Sequence, residues 1–153
     1  MAVIMSESTN NSILIDATPD ECFTVVLDFD HYQEWAADIK ATTIVCTDDD
    51  GRGGDVEYRV AAMGRSITYV LRYSYGSNPL RMSWRLVTGD LMRRLDGEYE
   101  FLANADGGTI AHYWLSIDLQ VPLPGFVKRR AEAKIVRTAL DKLKARVESI
   151  SVR

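Results

Sequence analysis

Seven aromatic side chains could hold and orient a small molecule: Tyr58, Tyr69, Tyr73, Trp84, Tyr99, Phe101 and Tyr113. Each falls at the same parity as its aliphatic neighbours, in runs that alternate apolar and polar residues. Successive side chains of a strand point to opposite faces, so all seven belong to apolar walls. Five are tyrosines, and a buried hydroxyl needs a hydrogen-bond partner. The rings either fill a core outright or line a pocket in which water or a polar-tipped ligand serves the hydroxyls. The pocket is the expectation taken forward. The same walls carry no Asp, Glu, Lys, Arg or His, whereas general acid–base catalysis needs a titratable group within reach of the reacting atom. Tyrosine seldom does that work without a charged neighbour, so a binder is favoured over an enzyme and no catalytic residue is assigned.

Other chemistry-bearing residues fit known sites poorly. His31 and Glu34 sit three apart on an expected helix, but Cys22, Cys46 and His112 lie at unrelated spacings and supply no third metal ligand. Neither a metal nor a cofactor is expected. Gly51-Arg52-Gly53-Gly54 has no helix after it and reads as a hairpin turn, not a phosphate cradle. His112 is expected on the outer strand face. Lys128, Arg129 and Arg130, with Lys134 and Arg137, read as a solvated face of the last helix, or alternatively as a docking face for an anionic partner or membrane headgroups.

The elements that position these residues follow from pattern. Residues 1–11 are polar and small and read as a flexible arm; residues 12–153 read as one domain. Ser12 to Asp16 is a short strand. Thr18-Pro19-Asp20-Glu21 starts a helix, with Thr18 as N-cap, Pro19 where its missing N–H costs nothing, and two acids facing the positive end of the dipole. That helix carries Cys22, Phe23, Val26 and Leu27 inward and stops near Phe29. A second short helix is expected from Asp30 to Ala37. Six strands follow: 40–47, 55–63, 66–75, 80–87, 95–102 and 109–120, separated by turn signals. Val121-Pro122-Leu123-Pro124-Gly125 then gives way to a helix from about Phe126 to Ser149, free of Pro and Gly. Val136, Leu140, Leu143, Val147 and Ile150 form its apolar stripe. A mostly β chain ending in one long amphipathic helix buries that helix by curling the sheet around it. The interior left behind is too wide for side chains to fill.

Composition bounds the rest. A chain of 153 residues with 46% hydrophobic and 26% charged residues suits one soluble domain. A net charge of −4 argues against nucleic-acid binding. No run approaches the roughly 20 apolar residues of a membrane span, and the N-terminus lacks signal-peptide character. A cytoplasmic address is expected, with Cys22 and Cys46 reduced and buried. Oligomeric state is left open.

The order of strand, two small helices, six antiparallel strands and long C-terminal helix resembles the helix-grip fold of the START-like (SRPBCC) superfamily. That group includes the birch pollen allergen, polyketide cyclase/dehydrase and lipid-transfer proteins, and coenzyme Q-binding-like proteins. Three strings carry the resemblance: Ala17-Thr18-Pro19 with Val25 to Trp35, Asp96 to Phe101 running on to Gly107-Gly108-Thr109, and Val121 to Arg130. Gln33 stands where such proteins often have Pro. The resemblance implies an α+β fold, a seven-stranded antiparallel sheet curled around the C-terminal helix, with two short helices between strands 1 and 2. It also implies a cavity, but not a reaction. Tyr58, Tyr69, Tyr73, Met82, Trp84, Tyr99, Phe101, Tyr113, Val136 and Leu140 are expected to line it. Tyr32, Trp35, Pro122 and Phe126 are expected at its entrance. The leading function is binding or carriage of a small hydrophobic ligand (a lipid, isoprenoid or polyketide), with transient membrane-surface contact allowed. The alternatives are a polyketide aromatase/cyclase using the same pocket, and a protein-interaction module of the ribosome-associated or stress-response type.

Overall fold

A computed structural model describes residues 9–151, residues 37 and 63 excepted. In chain order it contains β1 (Thr9–Ile15), α1 (Pro19–Leu27), a 3₁₀ helix (Phe29–Glu34), β2 (Ile39–Ile44), β3 (Asp55–Ala62), β4 (Arg65–Gly76), β5 (Leu80–Gly89), β6 (Met92–Ala103), β7 (Thr109–Leu119) and α2 (Gly125–Ser151). The seven strands form one sheet in the order β1-β7-β6-β5-β4-β3-β2, antiparallel at every step. The 27-residue α2 packs on β1, β7 and α1, so the curled sheet grips it. This is the expected helix-grip α+β architecture.

Local chemistry sets the boundaries. Thr18 and Glu21 close a capping box: the Glu21 N–H donates to Thr18 Oγ1 at 3.2 Å and the Thr18 N–H to Glu21 Oε1 at 2.8 Å. α1 stops at Leu27, and Phe29 opens the next element instead of ending this one. The second expected helix is a single 3₁₀ segment whose Asp28 side chain does not cap the segment's backbone. It is tied to β2 from both directions, Gln33 Nε2 donating to the Lys40 carbonyl and Thr42 Oγ1 to the Phe29 carbonyl.

Three expectations need correction. β1 begins at Thr9, so residues 9–11 of the supposed arm pair with Leu115, Trp114 and Tyr113 of β7; residues 1–8 lie outside the described residues. An edge strand held by backbone bonds to one neighbour needs no apolar alternation to form. The buried α2 stripe ends at Val147, and Ile150 is 39% exposed. Cys22 is buried but Cys46 is exposed, at the end of β2. Burial pushes the Cys22 thiol up to about 11, which keeps it protonated and unreactive. His31 and Glu34 have separate partners: His31 Nδ1 meets Asp28 Oδ1 at 2.8 Å, while Glu34 accepts from Arg146 at 2.7 Å.

β1 and α2 run side by side, joined by charged groups. Lys144 Nζ donates to the Leu14 carbonyl (2.7 Å) and to Glu148 (2.6 Å), and Glu148 accepts from the Asp16 N–H (2.8 Å).

Candidate functional site

Between the sheet and the N-terminal half of α2 lies a cavity of about 650 Å³. That is within the usual span of small-molecule pockets. Its sheet-side wall comes from the period-2 pattern: Tyr58 on β3, Tyr69 and Tyr73 on β4, Met82 and Trp84 on β5, Tyr99 on β6 and Tyr113 on β7 all face it. Tyr99 and Tyr113 are direct cross-strand partners with ring centroids 4.5 Å apart. Trp84 sits opposite Gly97, and its indole lies where a Gly97 side chain would stand: an added Cβ would come within 2.5 Å of Trp84 Cζ2. The absent side chain lets the indole lean across β6 until it meets Tyr99 and Tyr113, each at 5.6 Å. Trp114, one residue from Tyr113, is half-buried on the other face of the sheet, as parity requires.

The hydroxyls divide into two sets. Tyr58 and Tyr73 bond to each other at 2.5 Å, and Tyr32 donates to the Val26 carbonyl at 2.5 Å. Tyr69, Tyr99 and Tyr113, like the Trp84 N–H, have no hydrogen bond within the described protein. No described buried side-chain nitrogen or oxygen lacks a partner, so these groups are not sealed in protein; they open into the cavity. Burial pushes the phenols of Tyr69, Tyr99 and Tyr113 upward from their ordinary range. At neutral pH they are hydroxyl donors and acceptors, not phenolates.

The helix side differs from expectation. Val136 and Leu140 are buried at 1% and 2% but pack away from the cavity, and Phe101 is packed between Phe23 and Tyr99. The row of α2 that faces the space is the adjacent one: Ala131, Ile135 and Ala139, with Lys128 and Glu132. Tyr32, Trp35 and Pro122 line the cavity, whereas Phe126 points to solvent at 62% exposure and Leu123 is on the wall in its place.

Charged groups also reach the wall, which strand parity did not suggest. Glu132 is 1% exposed and accepts from Thr9 Oγ1 (2.8 Å), the Ile117 N–H (2.8 Å) and Lys128 Nζ (2.7 Å). Leu115 is the last β7 residue paired with a described residue of β1, and two residues on the Glu132 carboxylate accepts from the Ile117 N–H. Lys128 also lies 3.8 Å from Asp118, so it is not the solvated residue the basic run suggested. The signal for Glu132 was present: it stands four residues before Val136, in line with the apolar stripe. An acid on a buried stripe marks a polar contact. Among the described residues no group of three His, Cys, Asp or Glu is placed to hold a metal ion, and no helix is long and apolar enough to cross a membrane.

The family model described as polyketide cyclase/dehydrase and lipid transport matches residues 6–148. No curated protein matches the sequence. Among solved structures, a START superfamily protein from Mycobacterium smegmatis superposes with a TM-score of 0.88 at 19% identity, covering 94% of this chain and 99% of that one. An aromatase/cyclase from a Streptomyces species gives 0.78 at 14% identity, covering 92% and 93%. A STAR-related lipid transfer protein from Xanthomonas axonopodis gives 0.70 at 14% identity, covering 92% and 85%.

Proposed function

Because the chain belongs to the polyketide cyclase/dehydrase and lipid transport family, we propose that it binds and carries a small hydrophobic molecule in the cavity under α2. One observation carries this: an apolar space of about 650 Å³ into which three tyrosine hydroxyls and an indole N–H open without protein partners. Ligand enters between Tyr32 and Trp35 on one side and Pro122 and Leu123 on the other. Apolar area buried at roughly 25 cal/mol per Å² supplies most of the affinity. The open donors fix orientation by meeting an oxygen on the ligand.

The test is native mass spectrometry of protein purified from its own host, with a tryptophan-fluorescence titration beside it. The expected result is a co-purifying lipophilic mass, and saturable quenching by a hydrophobic probe that Trp84→Ala weakens more than Trp114→Ala. No saturable probe binding in the parent protein, with Trp84→Ala acting on stability alone, overturns the proposal. A co-purifying macromolecule in place of a lipophile overturns it in favour of an interaction module.

Catalysis in the same space, as a polyketide aromatase/cyclase, is the second reading. The observation that favours it is the Lys128–Glu132 pair, which puts titratable groups on the helix side of the cavity wall. Cyclisation of a poly-β-keto chain by the empty protein supports this reading against a carrier.

A further inference from the structure

Two cations line the cavity wall, Arg93 and Lys128. β6 and β7 slip register between Met92, opposite Leu119, and Arg94, opposite Asp118. Arg93 is the extra residue of that bulge, and both Met92 and Arg93 reach the cavity. Bulges re-aim side chains in this way. Arg94 is engaged by Asp118 at 3.4 Å, whereas Arg93 has no ion pair or hydrogen bond in the described protein. Lys128 Nζ lies 3.8 Å from the same Asp118, which puts Lys128 beside the pair made by Arg94, the chain neighbour of Arg93. The Glu132 carboxylate, closed in by three donors, holds the Lys128 ammonium and is itself shut off from solvent.

The charged residues on the cavity wall are Arg93 and Lys128 against Asp118 and Glu132; Lys128 and Glu132 close on each other and Arg94 takes Asp118, which leaves the positive charge of Arg93 unmatched among the described residues. The excess sits where an apolar cavity meets water. A charged head left at such a rim avoids the cost of burial while its hydrocarbon goes inside. A guanidinium without a partner matches a carboxylate or phosphate through two parallel N–H bonds.

We infer that the mouth is an anion subsite and that the ligand is an anionic amphiphile. Its carboxylate or phosphate head meets Arg93 with Lys128 beside it, and its apolar body lies among Tyr69, Trp84, Tyr99 and Tyr113. This rests on the ligand-binding function proposed above.

The experiment compares dodecanoate, dodecyl phosphate and dodecanol, at neutral pH and low salt, by displacement of a neutral fluorescent probe. Parent protein and Arg93→Gln are used, since Arg93 is exposed and its change leaves the fold intact. In the parent, at least one of the two anions should bind about tenfold tighter than the alcohol, the worth of one charge-assisted hydrogen bond. That advantage should shrink as salt is raised and should vanish in Arg93→Gln, with dodecanol binding unchanged. The favoured anion identifies the head group. Equal binding of acid, phosphate and alcohol overturns the anion subsite and leaves the cavity's function standing. Failure of all three to displace the probe, or of the probe to bind, overturns both.

Discussion

The two halves of α2 belong to one helix with one periodicity, yet they meet the sheet in opposite ways. In the C-terminal half Leu140, Leu143 and Val147 are 2%, 0% and 1% exposed, and the Lys144–Glu148 pair clamps this half to the end of β1. In the N-terminal half the surface turned to the sheet is Ala131, Ile135 and Ala139, with a lysine and a glutamate, and the space between is open. Two alanines, Ala131 and Ala139, under a wall of tyrosines help to leave the cavity unfilled. One half of the helix holds the fold together and the other roofs a site, and small side chains make the difference.

The contrast can be broken first at Leu143. Leu143→Ala removes a wholly buried side chain from the packed half and should cost about 2–5 kcal/mol by denaturant titration, with probe affinity of the surviving folded protein unchanged. A cost below about 1 kcal/mol would mean that the C-terminal half is no better packed than the roof. Glu132→Leu comes next. It leaves the Ile117 N–H, the Thr9 hydroxyl and the Lys128 ammonium without their acceptor, and should cost about 1–3 kcal/mol. A neutral result in the same titration would make the carboxylate dispensable to the fold. The smallest change in stability belongs to Ala139→Phe, which adds a ring to existing space. Stability should stay within about 1 kcal/mol of the parent, while saturable binding of a large probe is lost. A strongly destabilised Ala139→Phe would show instead that the roof is closely packed.

The same contrast explains what could be read from the residues alone. The strand walls were legible because burial on one face of a sheet enforces period 2, and Tyr58, Tyr69, Tyr73, Met82, Trp84, Tyr99 and Tyr113 obey it. The capping box at Thr18 was legible because its chemistry is local. The stripe Val136, Leu140, Leu143, Val147 marked the packed row of α2, but a cavity-facing row carries no comparable signature. Alanine on a roof looks like alanine on any helix surface. Val136 and Leu140 were therefore placed on the wall when their neighbours Ile135 and Ala139 form it. Arg93 was out of reach for another reason: a bulge changes which side chains share a face, and no residue type announces it. Thr9 to Asn11 were missed because an edge strand is secured by its partner's backbone, not by its own pattern.

The sheet is open, with β1 and β2 at its two borders. Such borders invite pairing with another chain. Here both are occupied from within: Lys144 takes the Leu14 carbonyl on β1, and Gln33 takes the Lys40 carbonyl on β2, where a register slip between Ile39 and Ala41 breaks the line. The helix that roofs the cavity and the 3₁₀ segment thus each take a backbone acceptor from a border strand. A protein whose interior is partly empty space has less packing to resist unfolding, and guarded borders keep its transient openings from becoming aggregates.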